Sequence, residues 1–136
     1  MKRHASLIKL SREHHTALVL AKRAVNLDPA NEAEVAAFAS RLQEVLESEI
    51  EPHFCREESW LMPLLEAYDL PLVERMRDEH RQLRELAARV TAGDASVIAL
   101  FGRSLEGHVH FEERKVFALA ETVLPAPALQ VLRDEH

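Results

Sequence analysis

The sequence predicts an all-α protein, an up-down-up-down four-helix bundle with a short C-terminal extension. Three observations predict it. Glycine is scarce, at 3 of 136 residues, and Ala, Leu, Glu and Arg, all good helix formers, dominate. Apolar residues recur at helical spacing in four long segments. The breaks between those segments are short and carry start and stop chemistry, so neighbouring helices run antiparallel.

The first helix runs from about Ser11 to Asn26, with Ser6 as an earlier start. Its stripe is Leu7, Leu10, His14, Ala17, Leu18, Ala21 and Val25. "LDPANEAE" breaks the chain and restarts it: Asn31 with Glu34 three residues on reads as a capping box. The second helix runs from about Glu32 to Ala67, with the stripe Val35, Phe38, Leu42, Leu46, Ile50, His53, Glu57, Leu61 and Leu64. Pro52 interrupts it, which predicts a kink or two abutting helices.

Asp69 or Leu70, ahead of Pro71, opens the third helix. Its stripe is a heptad: Val73, Met76, His80, Leu83, Ala87 and Val90. Gly93 stops it, and Asp94 or Ser96 caps the fourth. The fourth stripe is Val97, Phe101, Leu105, His108, Glu112, Val116, Leu119 and Val123. "PAPA" at 125–128 leads to a tail expected to add one or two helical turns. One domain over residues 1–136 accommodates all of this.

Composition narrows the function. Lys and Arg total 17 against 23 Asp and Glu, a formal charge of −6, which argues against a nucleic-acid partner. No run approaches the roughly 20 apolar residues of a membrane span. The opening "MKRHASLIKL" has no long apolar stretch behind it, so no signal peptide is expected. A single cysteine excludes an internal disulfide and fits a reducing compartment, so a cytoplasmic location is expected. The unusual count is eight histidines.

Those histidines follow an internal repeat. "EHHTALVLA" from Glu13 aligns without a gap on "EHRQLRELA" from Glu79, and "HFCREESWLMPLLE" from His53 on "HVHFEERKVFALAE" from His108. His14 therefore matches His80, and His53 with Glu57 matches His108 with Glu112. Positions i and i+4 lie about 40° apart around a helix and roughly 6 Å apart along it, so both side chains reach one volume. Here that volume is the core, since the neighbours on each stripe are Leu, Ile, Val and Phe. A buried carboxylate costs several kcal/mol unless it is paired or bound to a cation, and no Arg or Lys lies on the inward stripes. Four histidines and two glutamates exceed the four ligands of a structural zinc and suit two metals sharing carboxylates.

Other residues read differently. His15 lies about 100° from His14 and is kept as a candidate ligand or supporting donor at the edge of the site. Glu58 and Glu113 are expected at a helix–helix edge or in solvent. His110 and Cys55 turn away from the site, so thiolate ligation is not expected. Trp60, Tyr68 and Phe111 read as packing residues, and Glu44, Glu47, Glu49 and Glu51 as a mostly solvated face with Glu49 nearest the core.

"LxxEH" ending at His14, "HFxxEExxxMP" from His53, "EHxxL" from Glu79 and "HxxxEExxxF" from His108 together resemble the hemerythrin-like, or HHE cation-binding, domain over about residues 7 to 121. The resemblance implies a hemerythrin-like bundle holding two non-haem iron ions, with Mn or Zn as alternatives. His14, His53, His80 and His108 would be terminal ligands, and Glu57 and Glu112 bridging or terminal carboxylates. It implies binding or sensing of O2, NO or iron, with a diatomic gas or small oxidant as ligand.

Two departures from the oxygen carriers stand out. Those proteins place a second histidine one turn before His80, where this chain has Met76. They also place the last carboxylate five residues after the fourth-helix histidine, where this chain has Glu113. The first departure leaves an open coordination position, for which His15 is the candidate replacement. Glu-x-x-His pairs of the ferritin-like kind do not occur on the inward stripes. Two other functions fit the residues: a di-metal oxidoreductase acting on peroxide or NO, with Glu58, Glu79 or Glu113 delivering protons, or a metal-free helical interaction module. A binding or sensing role is favoured over an enzyme, and the chain is expected as a monomer or homodimer.

Overall fold

The computed structural model describes the backbone of residues 5–125. Four helical rods pack as a bundle. We label them α1 (Ala5–Asn26), α2 (residues 32–65), α3 (Leu70–Thr91) and α4 (residues 98–123). The expected extension beyond Pro125, like His4 and His136, lies outside the described residues.

The connections are made by the residues the sequence nominates. Asn31 caps α2, its side chain accepting from the Glu34 N–H at 3.1 Å. The expected reciprocal half of the capping box does not form. Asn31 donates its N–H to the Asp28 carbonyl instead, and the Glu34 carboxylate accepts from the Asp28 N–H. Asp69 caps α3 through the Leu72 N–H. Gly93, at φ 99°, ends α3: its N–H donates to Val90 and that of Asp94 to Arg89, the paired bonds of a glycine C-terminus. Asp94 then accepts from the Ser96 N–H, and one 3-10 turn (Ala95–Val97) leads into α4.

The rods are of two kinds. In α1 the inward run is 7, 10, 14, 17, 21 and 24, with Leu20 buried beside it, and in α3 the buried positions are 73, 76, 80, 83, 87 and 90. Both alternate three and four residues, as a regular α-helix packed on neighbours requires. In α2 the inward run is 53, 57, 61 and 65, and in α4 it is 108, 112, 116 and 120, with fours throughout. A straight α-helix would rotate such a run off the core. The rods absorb the drift with π-turns at Leu46–Ile50 and Glu57–Leu61 in α2 and Glu112–Val116 in α4.

Pro52 marks a junction, as expected: two α-helical segments meet across the first π-turn, where the Glu51 N–H reaches back five residues to Leu46. Pro63 follows the second in the same way. Leu64 and Leu119, expected inward, are only half-buried, because the extra residue in the turn advances the core face to Leu65 and Ala120. In α1, Val25 is 41 % exposed and Ala24 takes its place in the core. Small residues let α1 and α4 approach closely there. A Cβ on Gly102 would lie 2.7 Å from the Ala21 carbonyl oxygen and 2.8 Å from the Ala24 Cβ.

The core has two apolar layers. One gathers Phe38, Leu42, Val90, Ile98 and Phe101, and the other Leu10, Leu61, Met62, Met76 and Phe117. Between them lie six buried polar residues.

A candidate dinuclear metal centre

Those six are His14, His53, Glu57, His80, His108 and Glu112, none more than 5 % exposed. Their ligating atoms form two groups that share both carboxylates. His14, His53, Glu57 and Glu112 make one; Glu57, His80, His108 and Glu112 make the other.

Each carboxylate divides its oxygens between the groups. Glu57 Oε2 lies 3.2 Å from His53 Nε2 and its Oε1 3.1 Å from His80 Nε2. Glu112 Oε1 lies 2.8 Å from His14 Nε2, and its Oε2 3.3 Å from His108 Nε2. This is the placement that two bridging carboxylates need. The second and third π-turns begin on Glu57 and Glu112 themselves, and π-turns often occur at functional sites.

The chemistry of the donors fits cations. His53 Nε2, His80 Nε2, His108 Nε2, both oxygens of Glu57 and Glu112 Oε2 are buried without a hydrogen-bond partner. So many orphaned atoms in one dry layer are costly unless something positive joins them. Neutral imidazole with carboxylate is a donor set that Fe, Mn and Zn accept.

Every imidazole turns its other nitrogen to a second carboxylate. His14 Nδ1 lies 2.8 Å from Glu113, His53 Nδ1 3.1 Å from Glu13, His80 Nδ1 2.7 Å from Glu58, and His108 Nδ1 2.7 Å from Glu79. These pairs follow the sequence repeat. The glutamate before each lone histidine serves the His-x-x-x-Glu helix of its own half, and the second glutamate of each pair serves the lone histidine of the other half. Arginines hold three of the four: Arg56 on Glu13, Arg84 on Glu58 and Arg75 on Glu79. Ser11 donates to Glu113 at 2.5 Å. Such outer carboxylates fix the tautomer and make the facing nitrogen more basic. Phe54 stacks on His80 with ring centroids 3.9 Å apart, and Phe117 on His14 at 5.3 Å, holding two of the rings flat.

The electrostatics follow. Burial pushes the His80 imidazole down, but the neighbouring carboxylates of Glu112, Glu57 and Glu58 outweigh it and raise it to about 11. Burial likewise opposes, and Glu112 and Glu79 overcome, a rise of His108 to about 9. Burial would raise the Glu58 carboxyl, yet His80 and Arg84 hold it at about 2. Without cations the cluster thus balances its carboxylates with protons on the rings.

The remaining expectations divide. His15 is exposed and belongs to neither group, so its candidacy as a ligand is corrected: one residue past His14, it points off the core face. Met76 is fully buried in an apolar layer, and no residue replaces it as a donor among the described residues. Glu112, four residues after His108, takes the inward position, and Glu113 the outer one. Cys55 is exposed, as expected. Tyr68 is 55 % exposed and does not pack as expected, because it lies in the turn between α2 and α3. Sequence reasoning placed Glu58, Glu79 and Glu113 near the site as proton donors but missed Glu13 and the pairing of all four with the imidazoles. The signal was present: the repeat pairs Glu13 with Glu79 and Glu58 with Glu113, each adjacent to an inward residue.

A cavity of about 20 Å³ adjoins the cluster between α1 and α2. Its inner end meets His14, His53, His108 and Glu112, and Glu13, Thr16 and Glu49 also line it. The repeat-related cleft between α3 and α4 meets His108 and Glu79, but Leu83 stands where α1 has Ala17.

Among the described residues no helix is long and apolar enough to cross a membrane. No curated protein and no solved structure gives a significant match to the chain. Residues 6–120 match the family described as "Hemerythrin HHE cation binding domain". That span takes in nearly all of the four rods and every residue of the buried cluster, and the chain belongs to this family.

Proposed function

We propose that the chain is a non-haem di-iron protein that binds or senses a diatomic molecule, O2 or NO, or iron itself. The observation that carries the reading is the buried cluster: two groups of His2Glu2 sharing both carboxylates, with most of their inward atoms lacking any other partner. His14 and His53 would hold one ion and His80 and His108 the other, with Glu57 and Glu112 between them. When bound, the ions supply an electron-rich centre with coordination positions open to a small ligand. The protein orients the imidazoles through Glu13, Glu58, Glu79 and Glu113, and its apolar layers exclude water.

Iron suits a site of imidazole and carboxylate donors without thiolate, and Mn or Zn is the alternative occupant. The cavity beside His14 and His53 has room for about one water-sized molecule, which supports a diatomic ligand over a larger substrate. With Met76 where the oxygen carriers place a further histidine, each group has two imidazoles and two carboxylates, which favours sensing or redox work over stable oxygen carriage.

The test is anaerobic loading with Fe(II), followed by air or NO. About two irons per chain and new near-ultraviolet charge-transfer absorption are expected. Well below one iron per chain, with no new absorption, would end the reading. A di-metal oxidoreductase acting on peroxide or NO is the second reading, favoured by Glu13, which both lines the cavity and contacts His53. Steady-state turnover lost in His80→Ala separates the two. A metal-free interaction module would instead show a melting temperature indifferent to chelators.

A further inference from the structure

The two halves of the repeat supply matching ligands but unequal approaches to them. Between α1 and α2 the small Ala17 leaves the cavity that reaches His53, whose Nε2 is buried and without a hydrogen-bond partner. Most of the cavity wall is apolar, with Val45, Ile50 and Leu105 among the residues that form it. On its outer side stands Glu49, half-buried, accepting a 3.3 Å hydrogen bond from the Thr16 hydroxyl. The first π-turn (Leu46–Ile50) carries Glu49. Unlike the other two π-turns it begins on no residue of the cluster.

Glu13 is the second carboxylate lining the cavity, and Arg56 pairs with it. Among the described residues no cationic side chain pairs with Glu49, and neither Lys nor Arg lines the cavity. In the other half, Ser104 occupies the place of Glu49 and Gln82 that of Thr16. The uncompensated carboxylate thus stands beside this cavity, whereas the repeat-related cleft, of about 250 Å³, is lined by the paired Arg75 and Glu79.

We propose that Glu49 sets the ligand class of this approach to the site by excluding anions: neutral small molecules pass it, and monovalent anions are repelled. A charge beside a narrow, low-dielectric passage acts on entry rate more strongly than one in open water. The hydrogen bond to Thr16 holds that charge at the mouth. The inference rests on the di-metal reading above and refines it.

The test compares azide, an anion, with NO, a neutral diatomic, on iron-loaded protein by stopped-flow absorption. Iron per chain is measured in the same samples. Glu49→Gln keeps the shape and the acceptor but removes the charge. Azide association should then rise roughly tenfold or more, and its acceleration by added salt should shrink. NO association should change less than about twofold. Thr16→Val, which keeps the charge, should leave azide entry within about threefold of the parent protein. Equal azide rates in the parent and Glu49→Gln, or an equal gain for NO, would overturn the proposal while leaving the metal site standing. Protein that retains no iron in any variant would overturn the di-metal reading and this inference with it.

Discussion

Glu58 gives the sharpest prediction about how the cluster is held. Its carboxylate accepts from His80 Nδ1 at 2.7 Å and from Arg84 at 2.7 and 3.0 Å. Glu58→Ala removes the group that orients His80, so the ring must find its tautomer and pose unaided. A hydrogen bond to a charged group contributes about 1.5–3 kcal/mol. At 1.4 kcal/mol per tenfold, that is roughly 10- to 100-fold in affinity for a metal ion at the His80 and His108 position. The fold should survive, because Arg84 keeps its bidentate partner Glu51 and the position is open enough for water to replace the carboxylate. Glu58→Gln retains an acceptor and should lose only part of this. The assay is competition against a chromophoric chelator, resolving the two binding steps, with thermal melting as a control on folding. One step should weaken and the other stay within about threefold. No change in either step, or equal loss in both, would refute the assignment of Glu58 to one half of the centre.

Four further outcomes follow from the same geometry. Gly102→Ala should cost about 1–3 kcal/mol, seen as a lowered melting temperature, because the new methyl meets the Ala21 backbone. Gly107→Ala, on the exposed face of α4 with nothing within 4 Å, should stabilise by about 0.5–1 kcal/mol. In metal-free protein the raised His108 and His80, at about 9 and about 11, contribute stability that is full below pH 6.5. That contribution is lost as pH rises through those values, so the urea midpoint should fall on the alkaline side. Glu13 and Glu58 are held at about 2 against burial by their His and Arg partners. Their contribution is present above about pH 4.5 and is lost as pH falls toward 2, giving a second decline in the same titration.

The parts of this protein legible in its sequence are those set by period and repeat. The heptads of α1 and α3 place His14 and His80 inward with no further information. The gapless repeat identifies Glu57 with Glu112 and separates both from their neighbours Glu58 and Glu113. The π-turns were legible in principle, since the fours running from His53 to Leu65 and from His108 to Ala120 cannot stay on one face of a regular helix. A stripe drawn at ideal spacing hides them, and so misplaces Leu64 and Leu119. Pro52 did signal the junction between two α-helical segments; what it could not show is that a wider turn ahead of it releases the bond a proline would break. His15 could not be settled from spacing alone, because a residue 100° off the stripe lies at the margin between core and solvent. The outer carboxylates needed contacts between helices, such as Glu58 with His80, which no single helix displays.

The most direct measurement is diffraction at a metal absorption edge on protein purified without added metal, then loaded with Fe(II). Two anomalous peaks are expected, one beside His14 and His53 and one beside His80 and His108, with Glu57 and Glu112 between them. Peaks confined to surface carboxylates, or a layer in which these six side chains hydrogen-bond among themselves and bind nothing after loading, would contradict the account.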